Sequence, residues 1–459
     1  MDIKPDYLLS NTLSDQKGCP IIKVGIMDNQ QKVSINLKGL FLLDGITNIT
    51  GIFTAKVAHD NIYLFDEQRN IVHSASDIRF INQGGYTFTL SNVTIGIDFH
   101  WEKKEIQSFR GDLILKKRLD NTIAVINEIA LEEYLESVIS SEMNSSAPVE
   151  FLKTHAIISR SWLISALGQK KGVEEVVGNS LQKQEGENNT VIRWYEQEGH
   201  DIYHVCADDH CQRYQGITKI STENPLKAVK ETYGVVITYG GEVCDARYSK
   251  ACGGITEEYR SAWKDMDIPY LKSISDAERP FQPLVKEEDV RPWVLSKPKA
   301  YCNIDDMDTL KIILPDSDLE THGFFRWRVT YTRPELEDII KRRSGYDLGT
   351  LKAIKPLKRG PSGRIYLLNI TGSEKTLTIG KELEIRRWLS NTHLLSSAFI
   401  VETEGNSYGE IERFTFYGAG WGHGVGLCQI GAGVMAIKGY NAEAILRHYF
   451  PGTQLEKIY

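Results

Sequence analysis

The stretch Ile123-Ala124-Val125-Ile126-Asn127-Glu128-Ile129-Ala130-Leu131-Glu132-Glu133-Tyr134-Leu135-Glu136-Ser137-Val138-Ile139-Ser140-Ser141-Glu142 decides the fold, because in it a strand passes directly into a helix. Ile123–Asn127 is a short apolar run of strand type. From about Ala130 the apolar residues recur at helical spacing, and Leu131, Leu135, Val138 and Ile139 share one face. Glu142 lies four residues beyond Val138 and seven beyond Leu135, so it extends that stripe. A carboxylate at the end of a buried face costs desolvation energy unless it is paired or its pKa rises. A raised pKa is what a general acid needs at neutral pH. The competing reading makes Glu142 a cap for the next helix, and on the residues alone that is the simpler one.

The next helix starts after Ser145-Ser146-Ala147-Pro148, a strong start signal. Val149, Leu152, Ala156, Leu163 and Leu167 form its apolar stripe, with Thr154, His155, Ser159 and Arg160 elsewhere on it. Arg160 could anchor a carboxylate, and a lone His155 is more often structural than catalytic. Gln169 to Asn189 is polar and reads as an exposed loop.

Upstream, residues 20 to about 105 read as strands. Ile21–Ile26 and Val33–Leu37 alternate with period two, and Tyr86–Leu90 and Val93–Ile97 follow, separated by Ser91-Asn92. This predicts a small antiparallel β unit over 1–106, without visible chemistry. Residues 107–459 then form a larger mixed domain, with an inserted subdomain expected near 280–350. The fold class is α+β.

Downstream, His200-Asp201-Ile202-Tyr203-His204-Val205-Cys206-Ala207-Asp208-Asp209-His210-Cys211 places several soft ligand types in one loop. Cys206, His210 and Cys211, with His200 or His204 as fourth, could fill a tetrahedral zinc site. Free thiols beside surface histidines are the alternative, and the residues leave both open. Seven cysteines in so long a chain are no disulfide framework. Small buried residues is the reading favoured for Cys19 and Cys302.

In Tyr248-Ser249-Lys250-Ala251-Cys252-Gly253-Gly254-Ile255-Thr256-Glu257 the glycine pair lets the backbone approach a neighbour closely. Ser249 and Lys250 are adjacent, the wrong spacing for a Ser-x-x-Lys nucleophile, so no serine hydrolase is read. Strand Trp327–Tyr331, a helix near Pro334 to Arg343, a turn at Arg359–Arg364 before strand Ile365–Leu368, and a helix near Asn441 to Phe450 fill the remainder. Gly418-Ala419-Gly420-Trp421-Gly422-His423-Gly424-Val425-Gly426-Leu427-Cys428-Gln429 alternates glycine with other residues but lacks the Rossmann spacing. It reads as a backbone-lined cleft wall with Trp421, His423 and Gln429 facing a ligand, tryptophan being suited to a sugar face. A Gly-rich strand packed in a core is the competing reading.

The 459 residues suffice for about two to four domains. A net charge of −7 argues against broad nucleic-acid binding, which needs a basic footprint. No apolar run is long enough to span a membrane. Met1-Asp2-Ile3-Lys4-Pro5 lacks a signal-peptide apolar region, so either the chain is cytoplasmic or a leader has been removed.

Together, several stretches resemble the SpoIID family, the stage II sporulation protein D and amidase-enhancer proteins of bacterial cell-wall remodelling. They are Asn127–Leu135 running on to Ser141-Glu142-Met143, the Lys153–Ser161 helix, Asp208–Tyr214, Ser249–Thr256 and Gly420–Gly426. The resemblance covers about residue 107 to the end. It implies a lytic transglycosylase that cuts the β-1,4 bond after N-acetylmuramic acid in peptidoglycan strands stripped of stem peptides, leaving a 1,6-anhydro sugar, with Glu142 as acid and then base. It further implies substrate contacts at Arg160, Ser249, Lys250, Cys252, Gly253, Gly254, Trp421, His423 and Gln429. It implies a structural zinc ion on His200, Cys206, His210 and Cys211, with His200 preferred to His204. A cell-wall amidase partner and residence in the cell envelope follow from the same resemblance. Family motifs often have proline after Glu-Met, where this chain has Asn144. A glycan-binding enhancer of a separate amidase, and a hydrolase using zinc as Lewis acid, are the competing functions.

Overall fold

The computed structural model describes residues 18–97, 102–169, 181–186, 189–195, 200–321 and 323–459. The chain divides into two compact units, one of residues 1–174, 199–237 and 455–459, the other of 175–198 and 238–454. Strands and helices are mixed in both, as α+β requires.

The first unit is built on an eleven-stranded sheet. From one edge it runs Val205–Cys206, Ile21–Gln30, Ile123–Ala130, Asp112–Lys117, Asp77–Asn82, Lys32–Leu43, Thr47–Ala58, Asn61–Phe65 and Ile71–Ala75. Thr87–Ile95 pairs with Lys32–Leu43, and Lys103–Phe109 pairs with Thr87–Ile95. Period-two burial is clear in Lys32–Leu43, where Val33, Ile35 and Leu37 are buried. Ser91-Asn92 does not separate two strands. It is an irregularity inside Thr87–Ile95, where the register shifts between Leu90 and Val93.

The boundary expected between 106 and 107 falls inside the strand Lys103–Phe109, and the deciding strand Ile123–Ala130 belongs to the same sheet as the N-terminal strands. The pairing of Lys103–Phe109 with Thr87–Ile95 continues on both sides of that point.

Ile123–Ala130 is buried along almost its whole length, because strands flank it on both sides and helix α1 (Leu131–Glu142) follows at once. Helix α2 (Val149–Gln169) and helix α3 (Asn224–Glu231) pack with α1. The apolar stripe predicted for α2 understates its burial. From Phe151 to Ile164 only Lys153 escapes being buried. Polar residues survive there because each finds a partner. Thr154 and Ser161 donate to the carbonyls of Glu150 and Ile157, and His155 Nδ1 lies 3.1 Å from Ser159 Oγ.

In the second unit a five-stranded sheet runs Leu181–Gly186, Thr190–Tyr195, Thr376–Gly380, Ile365–Gly372 and Leu351–Arg359, and a three-stranded one runs Arg326–Thr332, Ile411–Ala419 and Phe399–Gly405. Part of the expected loop 169–189 is therefore strand, and the rest of it lies largely outside the described residues. The helix Arg333–Ser344 opens on a Thr332/Glu335 capping box. The subdomain expected near 280–350 is not separate: Trp327, Leu336, Ile340 and Leu348 share one core with Leu368, Trp388, Phe399 and Phe416. Burying side chains of this size contributes about 1.5–3 kcal/mol each, so the segment is fixed by that core.

Candidate metal centre and the glutamate beside it

The Cys/His loop is attached to the sheet edge before any metal is considered. Val205 and Cys206 lie parallel to Val24 and Gly25. Gly25 is required here, since a Cβ at that position would stand 2.6 Å from the Tyr203 ring. His204 N–H donates to the Lys23 carbonyl at 2.9 Å, and Lys23 N–H donates to His204 Nδ1 at 3.0 Å. Arg118 ties Asp201 through Nη1 at 2.8 Å, and the Asp208 carboxylate accepts the N–H groups of Gly96 and Ile97 at 3.1 and 2.9 Å.

These anchors bring His200, Cys206, His210 and Cys211 together, with one ligand atom from each within 4.8 Å of the others. His200 Nε2 lies 3.4 Å from Cys211 Sγ, and His210 Nδ1 lies 3.5 Å from Cys211 Sγ and 3.8 Å from Cys206 Sγ. Bonds of ~2.05 Å to nitrogen and ~2.3 Å to sulfur give tetrahedral N–S edges of roughly 3.6 Å, so the residues fit a zinc ion. His204 stands outside the group because its Nδ1 accepts from the backbone. The Cys206 thiol is pulled well below its ordinary range by Cys211, His200 and His210, which favours the thiolate that binds metal.

Glu142 is the last residue of α1 and is only 6% exposed. It does not cap α2. Its Oε1 accepts the Arg213 backbone N–H at 3.1 Å. Arg213 Nε in turn holds Asp209 Oδ1 at 2.7 Å, and burial pushes the Asp209 carboxyl up to about 7 against the pull of Arg213, with the charges of Asp208 and Glu142 adding to the rise. Tyr134 OH donates to Gln212 Oε1 at 3.1 Å, and Tyr134 stacks on Tyr214 with centroids 5.1 Å apart. The segment Cys211–Gln215 thus joins the ligand cluster to the end of α1. Glu142 has a charged and hydrogen-bonding neighbourhood, not the wholly apolar one its stripe suggested. Asp209 and Arg213 were missed in the sequence, although their i,i+4 spacing was a signal.

Arg160 was expected to meet substrate, but its guanidinium is fully buried. Nε and Nη2 grip Glu132 at 2.9 and 2.6 Å, and Nη1 donates to the Val235 carbonyl at 2.8 Å. Its donors are spent inside the first unit.

The other expected contacts lie in the second unit. Tyr248–Ser249 pairs in parallel with Leu427–Cys428, and Ala251 exchanges backbone hydrogen bonds with Trp421. Ser249, Lys250, Cys252, Gly253, Gly254 and Gln429 are buried, while Trp421 and His423 are half-buried. Lys250 Nζ pairs with buried Asp318 at 2.7 Å. Arg364, also buried, donates to the carbonyls of Gly422 and Cys252 at 3.1 Å, and Gly424, at φ 77°, has no room for a Cβ against that guanidinium. The glycine ribbon is therefore packed tightly at these positions, as the core reading proposed. His423 Nδ1 accepts from Val425 N–H at 3.0 Å, and burial together with Arg247 and Arg364 drives its pKa well below the usual imidazole value. Cys252 belongs to another group altogether, since its Sγ lies 3.7 Å from Cys302 Sγ.

The strand-to-helix unit ending on a buried glutamate and the Cys/His loop bonded to the same helix end both fall in a stretch that matches a known family. Residues 119–239 match the stage II sporulation protein (SpoIID) family. A domain of unknown function, DUF8618, matches residues 257–426. The chain is 27% identical over 256 residues to the amidase enhancer of Bacillus subtilis, covering 53% of this chain and 34% of that protein. It is 24% identical over 333 residues to stage II sporulation protein D of the same organism, covering 72% and 76%. An uncharacterised protein of Brachyspira hyodysenteriae is 22% identical over 446 residues, 95% of this chain and 92% of its own length. Among the described residues no helix is long and apolar enough to cross a membrane.

Proposed function

We propose that the chain is a lytic transglycosylase acting on peptidoglycan strands stripped of stem peptides. Glu142 protonates the oxygen of the β-1,4 bond that follows N-acetylmuramic acid. The same carboxylate then takes the proton of the muramic acid 6-hydroxyl as that oxygen closes onto the anomeric carbon. One C–O bond breaks, one forms, and Glu142 ends in its starting state. A single carboxylate suffices because the nucleophile comes from the substrate, unlike the usual two-carboxylate glycosidase. The observation that carries this reading is the position of Glu142: nearly buried at the end of α1, bonded to Arg213 N–H and next to the Cys/His loop. Trp421 and His423 are the members of the expected sugar-contacting set left half-buried. The substrate places the protein in the cell envelope.

In the same reading His200, Cys206, His210 and Cys211 hold a structural zinc ion. Four protein donors complete a tetrahedral ion and leave no position for a reacting water, which disfavours the zinc-hydrolase alternative. The ion would fix the loop that supplies the Arg213 N–H.

The similarity to an amidase enhancer supports a second reading, a glycan-binding module that stimulates a cell-wall amidase without cutting glycan. Mass spectrometry of products from denuded strands separates the two. The enzyme reading expects anhydro-muramic ends from the wild type, and from Glu142→Gln none, with strand binding retained. Strands bound by the wild type but never cut would establish the enhancer reading instead.

A further inference from the structure

We propose that Cys252, Asp276, Cys302 and Cys428 form a second, fully buried zinc site inside the second unit. One ligand atom from each lies within 4.8 Å of the other three, and the four residues are 2, 0, 0 and 0% exposed. The Cys252 and Cys302 sulfurs are 3.7 Å apart. Two Zn–S bonds of ~2.3 Å at the tetrahedral angle span roughly 3.8 Å, whereas a disulfide needs about 2.05 Å. Three thiols and a carboxyl are a soft, four-donor set of the kind that selects zinc.

The surroundings are those of a ligand set, not of thiols filling space. Backbone N–H groups point at the sulfurs, from Cys252 to Cys428 Sγ at 3.2 Å and from Gly254 to Cys252 Sγ at 3.3 Å. Asp276 is oriented from both sides, by Tyr449 OH on Oδ1 at 2.5 Å and by Cys302 N–H on Oδ2 at 2.8 Å. Each carboxylate oxygen keeps a second lone pair for a metal. Such outer contacts orient ligands and temper their charge. Arg326 supplies one positive charge nearby, its Nη1 donating to the Gly253 carbonyl at 3.0 Å. A buried group of up to four anionic donors needs more compensation than one guanidinium gives, and a divalent cation supplies it. With every position taken by protein the site is closed, and its role is to staple the segments around residues 252, 276, 302 and 428. This is independent of the proposed glycan chemistry.

The test uses the full chain carrying Cys206→Ser and Cys211→Ser, which leaves the buried group untouched. Zinc content is measured by elemental analysis, and cobalt-substituted protein is examined for thiolate-to-cobalt charge-transfer absorption. The expected result is one zinc per chain and that absorption, with two zinc ions in the wild type and both signals lost when Cys302→Ser is added. A folded double variant that holds neither zinc nor cobalt overturns the proposal. So does a Cys252–Cys302 disulfide in protein purified under reductant. One zinc in the wild type that survives in the double variant sustains the buried site and removes the loop site.

Discussion

The two thiol clusters are built in opposite ways. The first takes all its ligands from residues 200–211 and leaves His210 exposed, and its loop is already tied at Asp201, His204 and Asp208. The second gathers buried ligands from four segments, with Cys252 and Cys428 separated by 176 positions. Loop-closure entropy grows with the length of chain enclosed, as about (3/2)RT ln n. A metal in the second cluster therefore restrains far more of the unfolded chain than one in the first. A metal in the first would shape a loop next to Glu142; one in the second would hold a core together.

The largest expected effect follows from that contrast. Cys302→Ser should lower the stability of the zinc-loaded chain by about 4 kcal/mol, the stabilisation given by a ligand held a thousandfold above its Kd. Cys206→Ser should cost less than half as much, because backbone pairing and the Arg118–Asp201 bond remain. Denaturant unfolding with zinc and with chelator measures both, and equal losses would break the comparison.

For activity the order should reverse. Cys206→Ser with Cys211→Ser should reduce anhydro-sugar release from denuded strands by about 100-fold, since misplacing a catalytic group by about 1 Å costs that much. The readout is rate per folded molecule at a temperature where circular dichroism is native. Cys302→Ser should retain its rate under the same conditions. A variant of the loop cluster that cuts at the wild-type rate would detach that cluster from Glu142.

The same contrast explains what could be read from the sequence. The strand-to-helix unit ending at Glu142 and the His200–Cys211 loop are local, so periodicity and spacing expose them. Cys302 reads as a small buried residue because its neighbours lie 26 positions away and further, and no spacing rule connects Cys252, Asp276 and Cys428 to it. Arg160 looked like an anchor for a carboxylate and the family resemblance implied a substrate contact at Lys250, because a sequence shows a charge and not its neighbour. Asp318 and Glu132 are the neighbours. The boundary expected at 106 falls inside the strand Lys103–Phe109 for a related reason: strands drawn from distant stretches join one sheet, and composition carries no record of that pairing.

The smallest expected effect separates two histidines four positions apart. Both precede Cys206 in the same loop, and the residues alone leave the fourth ligand open between them. His204 Nδ1 accepts the Lys23 N–H, while His200 Nε2 faces Cys211 Sγ. His204→Ala should therefore keep zinc in the loop cluster and cost about 1 kcal/mol, the worth of one intramolecular hydrogen bond. His200→Ala should lose that zinc while leaving the strand pairing of Val205 and Cys206 to hold the loop in place. Zinc content and unfolding midpoints of the two variants decide it. Loss of zinc in His204→Ala with retention in His200→Ala would mean that the loop rearranges when metal binds, and that its backbone ties are weaker than the sheet edge implies.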